Sequence, residues 1–206
     1  MLNQTRPKHT IPQAVAAAVA SGKRVRLQVL SGSMQPTLET SDVVEIRQAD
    51  VKDLRSGDVI VVAKDDTLVV HRLLSVRRTN GPTALVTKWD AHYAADKPWP
   101  VEQFAGRVSS VYVRQKRMDF TSTRWQLVNR AYGRIAQVES ATLTALYRWQ
   151  PAAFTEPSDP VQLLIRAVRA PGYFLLRAAL AGVRQGPAPS PALHVQSLRL
   201  VEDSST

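Results

Sequence analysis

No cysteine occurs in the chain, which excludes disulfide frameworks, thiolate zinc sites and cysteine nucleophiles together. Long apolar runs are absent too. The most apolar stretch, Ala14-Val15-Ala16-Ala17-Ala18-Val19-Ala20, is far shorter than the ~20 residues a membrane-spanning helix requires. Lys8 before it and Ala18-Val19-Ala20 at its end faintly mimic a secretory signal. Thr10 as a cap, Pro12 in the first turn and Gly22 as a stop predict a short docking helix instead. Histidine is scarce, with four in 206 residues. Acidic residues are outnumbered, 17 against 27 Lys and Arg, so the net charge is +10. That balance fits a basic protein in solution and equally an anionic membrane surface or a nucleic acid. A hydrophobic share of 44% excludes wholesale disorder.

What is present begins with alternation. Residues 24–30 place Val25, Leu27 and Val29 on one face of a strand. The chain then breaks into Ser31-Gly32-Ser33-Met34-Gln35-Pro36-Thr37-Leu38. Gly32 allows close backbone approach, and Pro36 disfavours a helical conformation at Gln35. Such a turn presents Ser33 at the end of a rigid element, where a serine nucleophile would sit. Further short β segments are predicted at residues 42–47, 58–63, 67–76 and 84–88, and a last one at 107–114. Ser56-Gly57, Asp65-Asp66 and Asn80-Gly81-Pro82 mark the turns between them. Many short strands at this spacing point to a compact, coiled β domain, not to a parallel α/β sheet.

Beyond residue 114 the period changes. Trp125, Leu127, Val128, Ala131, Tyr132, Ile135 and Val138 recur at helical spacing, and residues 141–149 continue or restart that helix. Pro151, Pro157 and Pro160 are read as a linker. Asp159 is expected to cap a helix over 161–170, with Pro171-Gly172 interrupting before a second one over 173–183. Residues 186–191 are low-complexity, and 194–201 read as either strand or helix. The second half is the more basic: residues 111–206 hold 12 Lys and Arg against 6 Asp and Glu, residues 1–110 hold 15 against 11. Arg166, Arg169, Arg177 and Arg184 stand among apolar residues, a pattern of helices that lie in a membrane interface or pack on the β domain.

A serine attacks near neutral pH only when a base takes its proton and a third group orients the base. His9 and His194 lie in polar termini and read as solvated. His71 sits inside an apolar strand, where a lone histidine is more often structural than catalytic. His92 shares a loop with Asp90 and Asp96; two carboxylates and one imidazole there more often face solvent than hold a metal.

The blocks in order resemble those of the type I signal peptidases, within the wider group that includes the LexA-like self-cleaving repressors. The Ser31–Leu38 block resembles the nucleophile box, and Ser56-Gly57-Asp58-Val59-Ile60 the Gly-Asp strand box. Val70-His71-Arg72 resembles the general-base box. Residues 87–96 resemble the last box, with Trp89 in place of its usual glycine before Asp90 and Asp96 six residues on. Phe104-Ala105-Gly106-Arg107-Val108 is similar to the strand that follows. Most bacterial members carry lysine where His71 stands, so the resemblance is to the endoplasmic-reticulum and archaeal type. It implies Ser33 as nucleophile, His71 as base and Asp96 as orienting acid. Ser33 N–H and the Ser31 hydroxyl become oxyanion donors, while Asp90, Arg72 and Asp58 are structural or orienting. Lys64 and Lys88 are the competing bases, neither of them placed before Arg72.

The expected architecture is therefore mainly β, a coiled barrel or sheet of that family, with a C-terminal helical extension: α+β overall. Its parts are an N-terminal helical segment (1–23), the β catalytic domain (24–117), the helical extension (118–185) and a Pro-rich tail (186–206). The expected activity is a serine endopeptidase cutting after a small residue, with a peptide or protein substrate, no metal, no cofactor and no nucleic acid. Lacking the family's N-terminal anchor, it is expected in the cytoplasm or peripherally at an anionic membrane, through the basic helices. The alternatives are a non-catalytic binding module on the same scaffold and a self-cleaving repressor. The latter lacks room for a helix-turn-helix, and its cleavage-like Ala105-Gly106 falls at a strand start.

Overall fold

In the computed structural model, which describes residues 10–78, 81–114, 116–149, 159–181, 183 and 198–200, every predicted strand forms. The docking helix α1 (Ile11–Ala20) also forms. Gln13 Oε1 accepts the Thr10 N–H at 3.3 Å. Gly22, at φ +83°, ends the helix while Lys23 N–H donates to Ala18 O at 3.1 Å. Val15 and Val19 are its buried face.

The strands are β1 (Val25–Val29), β2 (Val43–Arg47), β3 (Val59–Lys64), β4 (Thr67–Arg77), β5 (Ala84–Lys88), β6 (Trp99–Pro100), β7 (Phe104–Val113), β8 (Lys116–Asp119) and β9 (Leu198–Leu200). They form one antiparallel sheet in the order β6-β5-β4-β3-β7-β2-β1-β9, with β8 added to β7. β7 is the pivot: its first residues pair with β3, its later ones with β2 and β8. Register shifts at Glu45/Ile46, Val61/Val62 and Leu73/Ser75 are bulges, where strands bend and twist more strongly.

The apolar run in β3 and β4 is continuous because both of its faces are covered. Val59, Val61, Leu68 and Val70 join the main core with α1, β1 and β2. Ile60, Val62, Val69 and Leu73 meet Leu54 and Leu85 on the other face. Consecutive residues of β4 thus point into different environments, and this sets up the site.

Two long helices follow, α2 (Thr123–Trp149) and α3 (Asp159–Leu180). α2 is one uninterrupted helix. The expected break at Pro171-Gly172 does not occur, and Pro160 lies in the first turn of α3, not in a linker. An interior proline costs a helix ~3 kcal/mol, but Leu176 and Leu180 are fully buried. Gly172 also lies against Tyr132, where a Cβ would stand 2.8 Å from Cε2. Packing of that closeness outweighs the local preference. β8 was not expected, because its charged residues show no alternation; its pairing with β7 supplies the order. Among residues 194–201, Leu198–Leu200 pair with β1 as strand. Pro151, Pro157, His9, Arg184 and His194, and the low-complexity residues 186–191, lie outside the described residues.

Met118, Phe120, Trp125 and Leu180 share the main core with β1, β2 and β7. Helices and sheet therefore form an α+β arrangement. Among the described residues no helix is long and apolar enough to cross a membrane.

Candidate active site

The turn after β1 is held by its own apolar residues. Met34 and Leu38 are buried in the main core, a contribution of roughly 3–6 kcal/mol for the two side chains. Gln35 N–H donates to Gly32 O at 3.0 Å and Leu38 N–H to Met34 O at 2.9 Å. The Gln35–Pro36 peptide is cis. Ser33 is therefore held between two anchors and is 4% exposed. Its Oγ lies 3.2 Å from Ser31 Oγ. Its carbonyl accepts the Ala91 N–H at 2.9 Å, tying this turn to the loop that carries Asp90 and Asp96.

In the middle of β4, pleating sends His71 and Arg72 to opposite faces. His71 Nδ1 is 2.7 Å from Asp96 Oδ2, with the ring 2% exposed. Thr87, on the neighbouring strand, donates its hydroxyl to the same Asp96 oxygen and accepts Trp99 Nε1–H at 2.8 Å. Asp96 N–H returns to Thr87 O at 2.8 Å. The rings of Trp89 and Trp99 flank the imidazole at centroid distances of 5.6 and 6.2 Å. His71 Nε2 is buried without a hydrogen-bond partner. The expected Ser33–His71 hydrogen bond is consequently not made; the Ser33 hydroxyl lies against Ser31 instead.

Arg72 is fully buried and all five of its N–H donors are used. Nε and Nη2 grip the two oxygens of Asp90, each at 2.7 Å. Nη2 also reaches Thr37 Oγ1 at 2.8 Å, and Nη1 bonds Gly57 O at 2.8 Å and Asn129 Oδ1 at 3.0 Å. The Tyr132 ring lies under the guanidinium at 4.5 Å. Thr37 Oγ1 donates to Asp90 as well. One arginine thus joins the serine turn, the last loop and α2. Gly57 and Gly133 permit this: a Cβ on Gly57, whose φ is +95°, would lie 1.9 Å from Asn129 O.

Lys88 lies on the Arg72 face of the sheet, away from His71. Its Nζ is 3.4 Å from Glu139 of α2, and Arg169 of α3 sits 3.1 Å from the other Glu139 oxygen. Burial pushes Lys88 below and Glu139 above their ordinary values. Arg169 Nη2 also donates to Asp90 O at 3.2 Å. Lys64 is exposed at the end of β3. Asp58 takes no part beside His71; its carboxylate accepts Arg55 N–H at 2.9 Å and faces Arg107 at 3.5 Å. His92 stacks on Tyr93 at 4.7 Å and accepts Ala94 N–H; burial lowers its pKa. Among the described residues no group of histidine and carboxylate side chains is arranged to hold a metal. A cleft of about 510 Å³ opens elsewhere, lined by Arg47, Gln48, Ala49, Asp50, Asp53 and Arg107.

Of the expected residues, His71 is brought to Asp96, Ser31 to Ser33 and Arg72 to Asp90. Thr87, Trp99, Asn129, Tyr132, Glu139 and Arg169 were not singled out for the site. Only Thr87 had a local signal, since β5 runs beside β4 and Thr87 shares the face of His71. No family model, no curated protein and no solved structure matches the chain.

Proposed function

We propose that this chain is a serine endopeptidase of the signal-peptidase kind, with Ser33, His71 and Asp96 as its reacting set. The observation that carries the reading is the His71–Asp96 contact of 2.7 Å on a ring whose other nitrogen is buried and unbonded. A carboxylate at Nδ1 keeps the proton there and leaves Nε2 as the base. Ser33 Oγ attacks the scissile carbonyl as its proton passes to Nε2. The C–N bond then breaks, and the same proton goes to the leaving amine. Water, activated by Nε2, releases the acyl group from Ser33. Ser33 N–H and the Ser31 hydroxyl are the donors for the developing oxyanion. Resemblance of the motif blocks adds the preference for a small residue before the cut and the coiled form of the sheet.

The Ser33 Oγ–Ser31 Oγ contact of 3.2 Å favours a second reading, a binding module that keeps the scaffold without chemistry. Reaction with a labelled fluorophosphonate separates the two. The peptidase is labelled at Ser33, and His71→Ala slows labelling by roughly 10³-fold or more. An unlabelled wild-type chain, or labelling indifferent to His71, leaves the binding module.

A further inference from the structure

A helix that is apolar on all sides of its circumference is normally buried all round. α3 is apolar on its inner side, where Gly172, Leu176 and Leu180 pack inward. Its outer side is apolar as well, with Leu163 68% and Phe174 67% exposed. These two are eleven residues apart, three turns of helix, and so lie on one line. α2 carries exposed apolar residues as well, among exposed Arg124, Arg130 and Arg134. Leu127, Val138 and Trp149 follow at the same spacing and are 60%, 66% and 82% exposed.

The border of the α3 stripe is cationic. Arg166 and Arg177, again eleven apart, flank it on one side, and the helix holds a single acidic residue, Asp159, at its first position. Arg177 Nη1 donates to Tyr173 Oη at 2.9 Å, with the guanidinium 5.5 Å from the ring centre. In α2 the one acidic side chain, Glu139, is buried against Lys88 and Arg169, so its outer side carries no negative charge.

We propose that the outer stripe of α3 docks on the surface of an anionic lipid bilayer. Leu163 and Phe174 enter the acyl boundary, while Arg166, Arg177 and Tyr173 stay at headgroup level, where cations and amphipathic rings settle. Charge complementarity selects the bilayer: from residue 160 to residue 183 the chain carries positive charge alone, and its net charge is +10. This inference is independent of the peptidase reading, since none of its residues touches Ser33, His71 or Asp96.

Flotation of the full chain with vesicles tests it. Binding is expected with phosphatidylglycerol mixed into phosphatidylcholine, and at least tenfold weaker with phosphatidylcholine alone. Leu163→Glu combined with Phe174→Glu should abolish flotation, and Arg166→Glu with Arg177→Glu should weaken it at least tenfold. All four positions are open to solvent, so near-ultraviolet circular dichroism should match wild type. No flotation, equal flotation on both lipids, or flotation untouched by both double variants overturns the proposal. A wild-type dimer in sedimentation that the Leu163/Phe174 variant dissociates would assign the face to a second copy and overturn it as well.

Discussion

Arg72 and Asp90 meet fork to fork, Nε to Oδ1 and Nη2 to Oδ2, both at 2.7 Å and both out of contact with water. The residue before Arg72 in β4, His71, reaches the second aspartate of the same loop from the opposite face. One strand thus holds a loop at two points, and that loop holds the carbonyl of Ser33 through Ala91. The two aspartates consequently have different duties. Asp90 satisfies a buried cation; Asp96 orients a base in the mechanism proposed above.

Asp90→Ala should mainly destabilise. Removing it leaves a guanidinium buried with two donors unpaired, a loss of about 3–5 kcal/mol. Urea unfolding should show the midpoint moving by that amount, and Asp90→Asn, which keeps one acceptor, should lose less. Equal stability of Asp90→Ala and wild type would mean that the pair carries no structural duty.

Asp96→Asn should do the reverse. Asp96 is at the edge of the interior, so stability should change by no more than ~1–2 kcal/mol. An amide at this place donates to Nδ1 and drives the proton to Nε2, the wrong tautomer for a base. Fluorophosphonate labelling of Ser33 should fall by about 10⁴-fold. A labelling rate within threefold of wild type would remove Asp96 from the mechanism.

Lys88 predicts a pH dependence of stability. Burial holds it below its ordinary 10.5, so between the depressed folded value and 10.5 the unfolded chain carries a proton that the folded chain has released. Its contribution to stability therefore rises with pH across that window. Tyr132, whose pKa burial raises, acts in the opposite sense on the alkaline side. Unfolding free energies of wild type and Lys88→Met over an alkaline pH series isolate the lysine: the variant should lack the rising component. Parallel curves would show that Lys88 keeps its ordinary affinity for protons.

Much of the sheet was legible because alternation is a local property. Val25, Leu27 and Val29 announce a buried face whatever partner covers it. The turn at Ser33 was legible from its Gly32 and Pro36, whereas His71 and the two aspartates six residues apart were singled out by the resemblance of the motif blocks. Pro171-Gly172 shows the limit. Local preference ends a helix there, yet the helix continues because Gly172 lets α3 lie on Tyr132 and Ile135.

By itself the sequence determined β1 to β5 and β7, their apolar faces and the chemistry available on the loop that follows β5. Only the tertiary structure decided which aspartate meets His71, which grips Arg72, and that Lys88 faces Glu139 of α2. It also placed Asn129, Tyr132, Glu139 and Arg169, from helices distant in sequence, around the same loop. The physical reason is that period and propensity report the orientation of a side chain relative to its own backbone. The partner it meets depends on closing long loops, and that closure is governed by the packing of the whole core.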